Sequence, residues 1–344
     1  MTRLILRRGI VASIESSGAA VRLVVDVGGE QRSAVAYTAL TGPVEPGDEV
    51  VVNTAALDLG LGSGGFDVVH ANLTRGLDAP LDREAHVMKL NYTSLQHAVE
   101  PLEAAGGDLE EWLGAPVAVI ALHGQLPCVA WAAARGAAGQ GRPMRVGYVQ
   151  GPGGALPGDL SDTVRALREA GLLVGHVTAG QAFGGEHEAI TVPGALHAGV
   201  ADLGWDAAIV GPGPGILGSD SPLGHGGMAA LDAAHAALAV GCPTVLVPRM
   251  SSSDPRERHR GLSHHTSTVL RLLLRRVLVA LPPGAGDVEL DGHRPVEGVA
   301  DTDGYAASGL PTRTMGRSMA EDPLFFSSAL AGGSVLAEVV ADGL

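Results

Sequence analysis

Lysine is almost absent from this chain. Of 344 residues, 23 are lysine or arginine, and Lys89 is the one lysine among them. Such usage puts arginine wherever a surface charge alone is needed. A lysine that remains is a candidate for work a guanidinium does not do, as a compact charge of tunable pKa or a neutral amine nucleophile. The plain alternative is a leftover surface charge. Cysteine is scarce too. Cys128 and Cys242 each sit beside a proline next to an apolar stretch, with no zinc or disulfide spacing. Buried, inert thiols in a reducing compartment are the expectation. Charged residues make up only 17% of the chain and hydrophobic ones 46%, the mark of a globular protein and not a disordered one. Positive charge is in deficit, with a net charge of -14. That argues against a nucleic-acid partner and against an anionic membrane surface.

Long apolar runs are missing as well. The opening Met1-Thr2-Arg3-Leu4-Ile5-Leu6-Arg7-Arg8-Gly9 has too short an apolar run for a signal peptide. No uncharged apolar stretch reaches the roughly 18 residues of a spanning helix. The nearest, 117–134, is broken by His123-Gly124-Gln125 and Pro127. A cytoplasmic protein is expected.

Residues 1–78 read as a small β-barrel-like module. Runs at 10–14, 21–27, 32–38, 49–53 and 66–70 are β-rich, with turn residues such as Pro46-Gly47-Asp48 between them. No chemistry shows in it, so homo-oligomer formation or covering the edge of a site is its expected role. Residues 79–344 read as a Rossmann-like α/β domain. Strands are predicted at 86–92, 117–122, 145–149, 172–178, 207–210, 244–248 and 277–281, with 186–192 as an extra strand or hairpin. Helices are predicted at 94–102, 128–138, 159–170, 195–203, 228–240 and 263–275. Short apolar strands alternating with helices predict a doubly wound, mostly parallel sheet. Residues 282–320 are irregular, and a C-terminal helix opens at Asp322-Pro323.

Ligands of open α/β sheets bind outside the carboxyl ends of the strands. Nearly every unusual residue follows a predicted strand: Lys89 and Asn91, then His123, then the loop 211–227 with Gly211, Gly213, Gly215 and His225, then Arg249, and finally Ser263-His264-His265-Thr266. Gly213-x-Gly215-x-x-Gly218 matches the dinucleotide fingerprint in letters. Pro212, Pro214 and Pro222 delay the next helix, and no acid follows the next strand, so a nicotinamide cofactor is not expected. Backbone amides freed by the glycines could still cradle an anion. Ser263 would cap a helix, placing His264 and His265 where a cationic imidazole is disfavoured. Each is therefore a neutral general base or a metal ligand, and helical geometry points only one of them at a given ligand. His123 and His225 complete the metal candidates, and Glu186-His187-Glu188 could add ligands. Structural hydrogen bonding is the alternative for each histidine. The Walker, G-x-S-x-G and H-E-x-x-H motifs are all absent.

Four runs carry a resemblance: His86-Val87-Met88-Lys89-Leu90-Asn91-Tyr92-Thr93, the loop 211–227, Gly261-Leu262-Ser263-His264-His265-Thr266-Ser267-Thr268, and Asp322-Pro323-Leu324-Phe325-Phe326. With them the chain resembles a bacterial family of unknown function, the domain of unknown function numbered 3866, along almost its whole length. The resemblance implies a soluble protein without accessory domains and brings no activity, cofactor or catalytic residue. The residues themselves point to an enzyme acting on a small, anionic molecule. Lys89, His123, His264 and His265 are its catalytic candidates, and Asn91, Gly211, Gly213, Gly215, His225 and Arg249 its ligand-binding ones. A non-catalytic sensor using the same pocket is the alternative. Acid/base groups within hydrogen-bond reach of one another would favour catalysis.

Overall fold

The computed structural model describes residues 3–61, 64–80, 85–106, 108–109, 112–139, 141 and 143–342. The chain divides into two compact units, Met1–Glu100 and Pro101–Leu344. The division falls after Glu100 and not after residue 78, because the segment up to Glu100 clusters with the first unit.

In the first unit, strands β1 (Leu6–Ile14), β2 (Ala20–Val27), β3 (Glu30–Tyr37), β4 (Glu49–Asn53) and β5 (Asp67–Asn72) close into a barrel in the order β1-β2-β3-β5-β4. The period of two along β2 turns Val21, Leu23 and Val25 inward, where they meet Val11, Ala34, Ala36, Val50, Val52 and Val69. Closure leaves no strand edge exposed. Asp48, in the turn before β4, is buried and accepts from Asn72 Nδ2 at 2.8 Å and Arg75 Nε at 2.9 Å.

The strand predicted at 86–92 is shorter and differently paired. Only Val87–Lys89 (β6) is extended, and it forms an antiparallel hairpin with β7 (His97–Val99), inside the stretch predicted as a helix at 94–102. Left-handed backbone at Leu90 (φ 48) and Tyr92 (φ 61) turns the chain too sharply for either element to continue. Lys89 is buried, at 5% exposure, and is not without a partner. Asn91 is exposed in the turn.

The second unit holds an eight-stranded sheet in the order β11-β10-β9-β12-β8-β13-β16-β17. Its strands are β8 (Val117–Ile120), β9 (Val146–Gly151), β10 (Gly175–Ala179), β11 (His187–Ala189), β12 (Ala207–Pro212), β13 (Thr244–Val247), β16 (Leu278–Leu281) and β17 (Arg294–Glu297), and every pairing is parallel. β11 is the predicted extra strand. β17 is an edge strand in the segment read as irregular, where Arg294-Pro295 masks any strand pattern. Two large apolar clusters form the core of this unit. Strands buried so fully read as continuous apolar runs.

Helices Leu126–Gly139, Asp162–Glu169, Val192–Ala201, Ala229–Ala239, His264–Leu272 and Pro323–Asp342 stand close to their predicted places. Among the described residues, Pro323–Asp342 alone is long and apolar enough to cross a membrane by length and composition. Here 67% of its apolar window is buried, and Phe325, Phe326, Ala329, Leu330 and Leu336 belong to a core cluster.

Candidate functional site

The order of the sheet makes β12, β8 and β13 neighbours, although they are far apart in sequence. The segments leaving their carboxyl ends therefore meet. A cleft of about 600 Å³ lies there, lined by His123 after β8, by 214–220 after β12, and by Arg249, Arg256, Arg258, His259 and His265 after β13.

The chain after β13 builds a frame for these groups. Met250–Ser251 (β14) pairs antiparallel with Gly261–Leu262 (β15), so Arg249 and Ser263 face each other, with Ser263 N donating to Arg249 O at 2.9 Å. Arg249 N donates to Thr266 Oγ1 at 2.9 Å. Ser263 caps the helix His264–Leu272, its side chain accepting from His265 N. Asp254, fully buried, takes ion pairs from Arg249 at 3.0 Å, Arg256 at 3.0 Å and Arg317 at 3.3 Å. Arg317 also holds Asp322 at 3.0 Å, and Asp322 accepts from Ser251 Oγ at 2.7 Å and Ser252 N at 2.8 Å. Asp322 thus anchors the loop after β13. Burial disfavours the charged Asp254, but the hydrogen bonds and charges of Arg256 and Arg249 outweigh it and hold the carboxyl well below its usual range. Burial pulls the Arg249 guanidinium down to about 10 against the pull of Asp254.

Four imidazoles pack in this frame. His225 lies flat on His265, with centroids 3.4 Å apart and planes 11° apart. His264 is 4.4 Å from His265 and 4.8 Å from His259, and His259 is 4.7 Å from His265, centroid to centroid. Both helix-terminal histidines thus reach one cluster, contrary to the expectation from helical geometry, because they occupy the first turn and His259 and His225 approach it from outside. Gly227 permits this closeness: a Cβ there would lie 3.1 Å from His225 Nδ1 and 3.5 Å from His265 Nδ1.

The hydrogen bonds set the protons. His225 Nε2 lies 2.9 Å from the Pro222 carbonyl, which can only accept, so Nε2 carries the proton and Nδ1 is a bare lone pair. His259 Nδ1 is 2.7 Å from Ser263 Oγ. Arg249 Nη1 donates to His265 Nδ1 at 3.3 Å. His225 Nδ1, His259 Nε2 and His264 Nε2 have no hydrogen-bond partner among the described residues. All four rings are held neutral. Burial is the largest cause, reinforced by neighbouring cations, and it takes His259 to about 3 and His265 to about 2.

The remaining candidates are not members of this imidazole cluster. His123 borders the cleft but stays outside the cluster. Its Nδ1 lies 3.2 Å from the Pro212 carbonyl and its Nε2 2.6 Å from Ser161 Oγ, so both nitrogens are occupied. Burial takes it to about 4. Gly215 lines the cleft. Gly211 is packed on Ile120, and Gly213 on Ala155 O and Gln150. At both positions close packing leaves no space for a side chain. His187 and Glu188 sit on β11 at the far edge of the sheet. Lys89 and Asn91 belong to the first unit, on a hairpin that is not part of the parallel sheet. The functional candidates missed from sequence are His259, Asp254 and the cleft arginines Arg256 and Arg258. His259 stands five residues before His264, and that H-x-x-x-x-H-H spacing was its signal. Asp254 gave none: Arg249 and Arg256 are near it in sequence, but that they share its buried carboxylate with the distant Arg317 shows only in the fold.

The family model described as a protein of unknown function, DUF3866, matches residues 33–333. No curated protein matches the chain. Among solved structures, YjeQ from Thermotoga maritima is similar at 17% identity and a TM-score of 0.15, over 51% of this chain and 51% of that one. The chain thus spans about half the length of that protein, and a likeness of this size carries no argument about fold or activity. The match over most of the chain makes this protein a member of the DUF3866 family.

Proposed function

We propose that the chain is a cytosolic enzyme acting on a small anionic molecule bound in the cleft at the carboxyl ends of β12, β8 and β13. One observation carries this reading: guanidiniums and neutral imidazoles line the same cleft. Arg249, Arg256 and Arg317 share two carboxylates, Asp254 and Asp322, which leaves a local surplus of positive charge in a chain of net charge -14. Arg256 and Arg258 are the accessible members, and Arg249 is the buried one. Beside these guanidiniums the cleft holds the neutral His259, whose Nε2 has no hydrogen-bond partner among the described residues and is the ring nitrogen left to act as base or metal ligand. Titratable groups in mutual contact favour catalysis over a sensor, which needs donors alone. Lys89 and Asn91 have no part in this reading.

The test is a thermal-shift screen of phosphates, carboxylates and neutral or cationic metabolites on protein freed of metal by chelation and dialysis. Anions are expected to raise the melting temperature. Calorimetry of the best hit should show about tenfold weaker binding in Arg256→Gln and in Arg258→Gln, the loss of roughly 1.4 kcal/mol each. Stabilisation by neutral or cationic compounds alone would sink the proposal.

A further inference from the structure

We propose that His259, His264 and His265 together bind one transition-metal dication of the zinc class, with an open coordination position facing the cleft. This goes beyond the reading above and is tested without any anion.

The argument begins with convergence. Each of the three residues offers one ring nitrogen, and these atoms all lie within 4.8 Å of one another. A tetrahedral zinc with bonds of about 2.0–2.1 Å sets its nitrogens roughly 3.4 Å apart. Ring movements on the order of an ångström close the difference. His264, the one of the three that is only half-buried, is the least confined.

The ring nitrogens themselves call for a partner. His259 Nε2 and His264 Nε2 are shielded from solvent and have no hydrogen-bond partner among the described residues. Native proteins rarely leave such atoms unsatisfied. Hydrogen bonds from one ring to another are a poor answer, because centroids at 4.4–4.8 Å with mutual tilts of 42–81° put faces and edges together and leave the lone pairs unused. A cation at the point of convergence answers several lone pairs at once.

The surroundings are those of a ligand set. Ser263 Oγ at 2.7 Å from His259 Nδ1 fixes that ring with Nε2 directed inward, as outer partners of metal-bound histidines do. The Arg249 contact with His265 Nδ1, at 3.3 Å, is long for a charged donor. Three imidazole nitrogens suit zinc, cobalt, nickel or copper and do not suit magnesium or calcium, which take oxygen. Three protein ligands and one open position are the arrangement of a catalytic metal and not of a closed structural one.

His225 is excluded from the set by geometry. Its ring is nearly coplanar in orientation with that of His265 and stacked 3.4 Å above it. In-plane lone pairs on two such parallel rings do not meet at one ion. His225 is a positioning residue, held by the Pro222 carbonyl, that keeps His265 in its orientation.

The experiment uses the full chain, stripped by chelation and dialysed, and titrated with Co2+ and then Zn2+ alone. One ion per chain is expected, with the visible bands of a tetrahedral or five-coordinate cobalt centre, displaced by Zn2+ and unaffected by Mg2+ or Ca2+. His259→Gln, His264→Gln and His265→Gln should each weaken binding at least about 100-fold. His225→Phe should keep the stoichiometry and change the shape of the cobalt bands. Loss of the ion in His225→Phe would overturn the ligand set. No uptake by the parent, or equal uptake in the three glutamine variants, would overturn the site. Should those variants fail to fold, ring-nitrogen NMR of the parent decides: Zn2+ must move the signals of these three histidines, and shifts confined to other histidines refute the proposal. Metal uptake without any anion response would sink the anion reading alone, and anion binding without metal uptake would sink this one alone.

Discussion

His123 and His265 line one cleft, are both buried and are both held neutral, yet they sit in opposite situations. Around His123 the protein meets every need. A backbone carbonyl takes one nitrogen, a serine hydroxyl the other, and Tyr148 spends its own hydroxyl on the Pro212 carbonyl at 3.0 Å. Around His265 three further imidazoles crowd in, and lone pairs are left over. Burial and a depressed pKa are common to both groups and so do not mark function. What separates them is whether the hydrogen bonds close within the protein.

The largest effect expected is at the frame beneath the cluster. Asp254→Ala leaves Arg249 buried beside Arg256 and Arg317 without their shared carboxylate, and should cost about 3–5 kcal/mol in urea unfolding. A loss under 1 kcal/mol would mean that the arginines find other partners, and the frame would lose its role in the comparison.

Acid should act next, through the satisfied group. The folded pKa of His123, about 4, lies below its unfolded value of about 6.5. The unfolded chain therefore binds the proton first. The neutral ring's contribution is complete above pH 6.5 and is lost as pH falls towards 4, by about 3 kcal/mol for a shift of this size. His123→Gln should flatten that part of the stability curve. His259 and His265, also held below 6.5, keep the rest of the slope, and a slope unchanged in the variant would show that His123 contributes none of it.

The same variant sharpens the contrast at neutral pH. His123→Gln should destabilise by about 1–3 kcal/mol, since it disturbs contacts with Ser161 and Pro212. Its uptake of Co2+ should equal the parent's. If the ion were lost as well, the two histidine groups would be one site and the distinction would fail.

The smallest effect is expected at Gly227→Ala. The new methyl would press on His225 Nδ1 at 3.1 Å and lie in ordinary contact with His265 Nδ1 at 3.5 Å. Stability should change by less than about 1 kcal/mol. Cobalt affinity should fall several-fold as the displaced His225 shifts the His265 ring stacked on it. Parent-like affinity would show that the cluster has slack.

Much of this fold was legible in the chain. Short β-rich runs separated by turn residues marked the barrel strands, apolar runs separated by helical stretches marked the parallel sheet, and Ser263 marked a helix start. Short elements were not legible. A three-residue strand such as Val87–Lys89 shows no period, and its partner at His97–Val99 lies in a stretch with helix-like spacing. The stretch predicted as the first strand of the sheet therefore proved to hold one arm of a separate hairpin.

What the sequence determined by itself was local and additive: propensity, alternation, caps, and the tendency of unusual residues to follow strands. From these came the two-part architecture and the edge of the sheet where His225, Arg249, His264 and His265 gather. The tertiary structure alone decided which neighbours those residues have. Strand order placed β12, β8 and β13 side by side, and this brought the loops after β12 and β13 together, so that His225 reached His265. The same folding let Ser161 and Pro212 satisfy His123 and brought the distant Arg317 to Asp254, beside the sequence-local Arg249 and Arg256. Hydrogen bonds and ion pairs form between groups close in space, whatever their separation along the chain. Whether a buried histidine ends with a spare lone pair is therefore a property of the packed molecule and not of its local sequence.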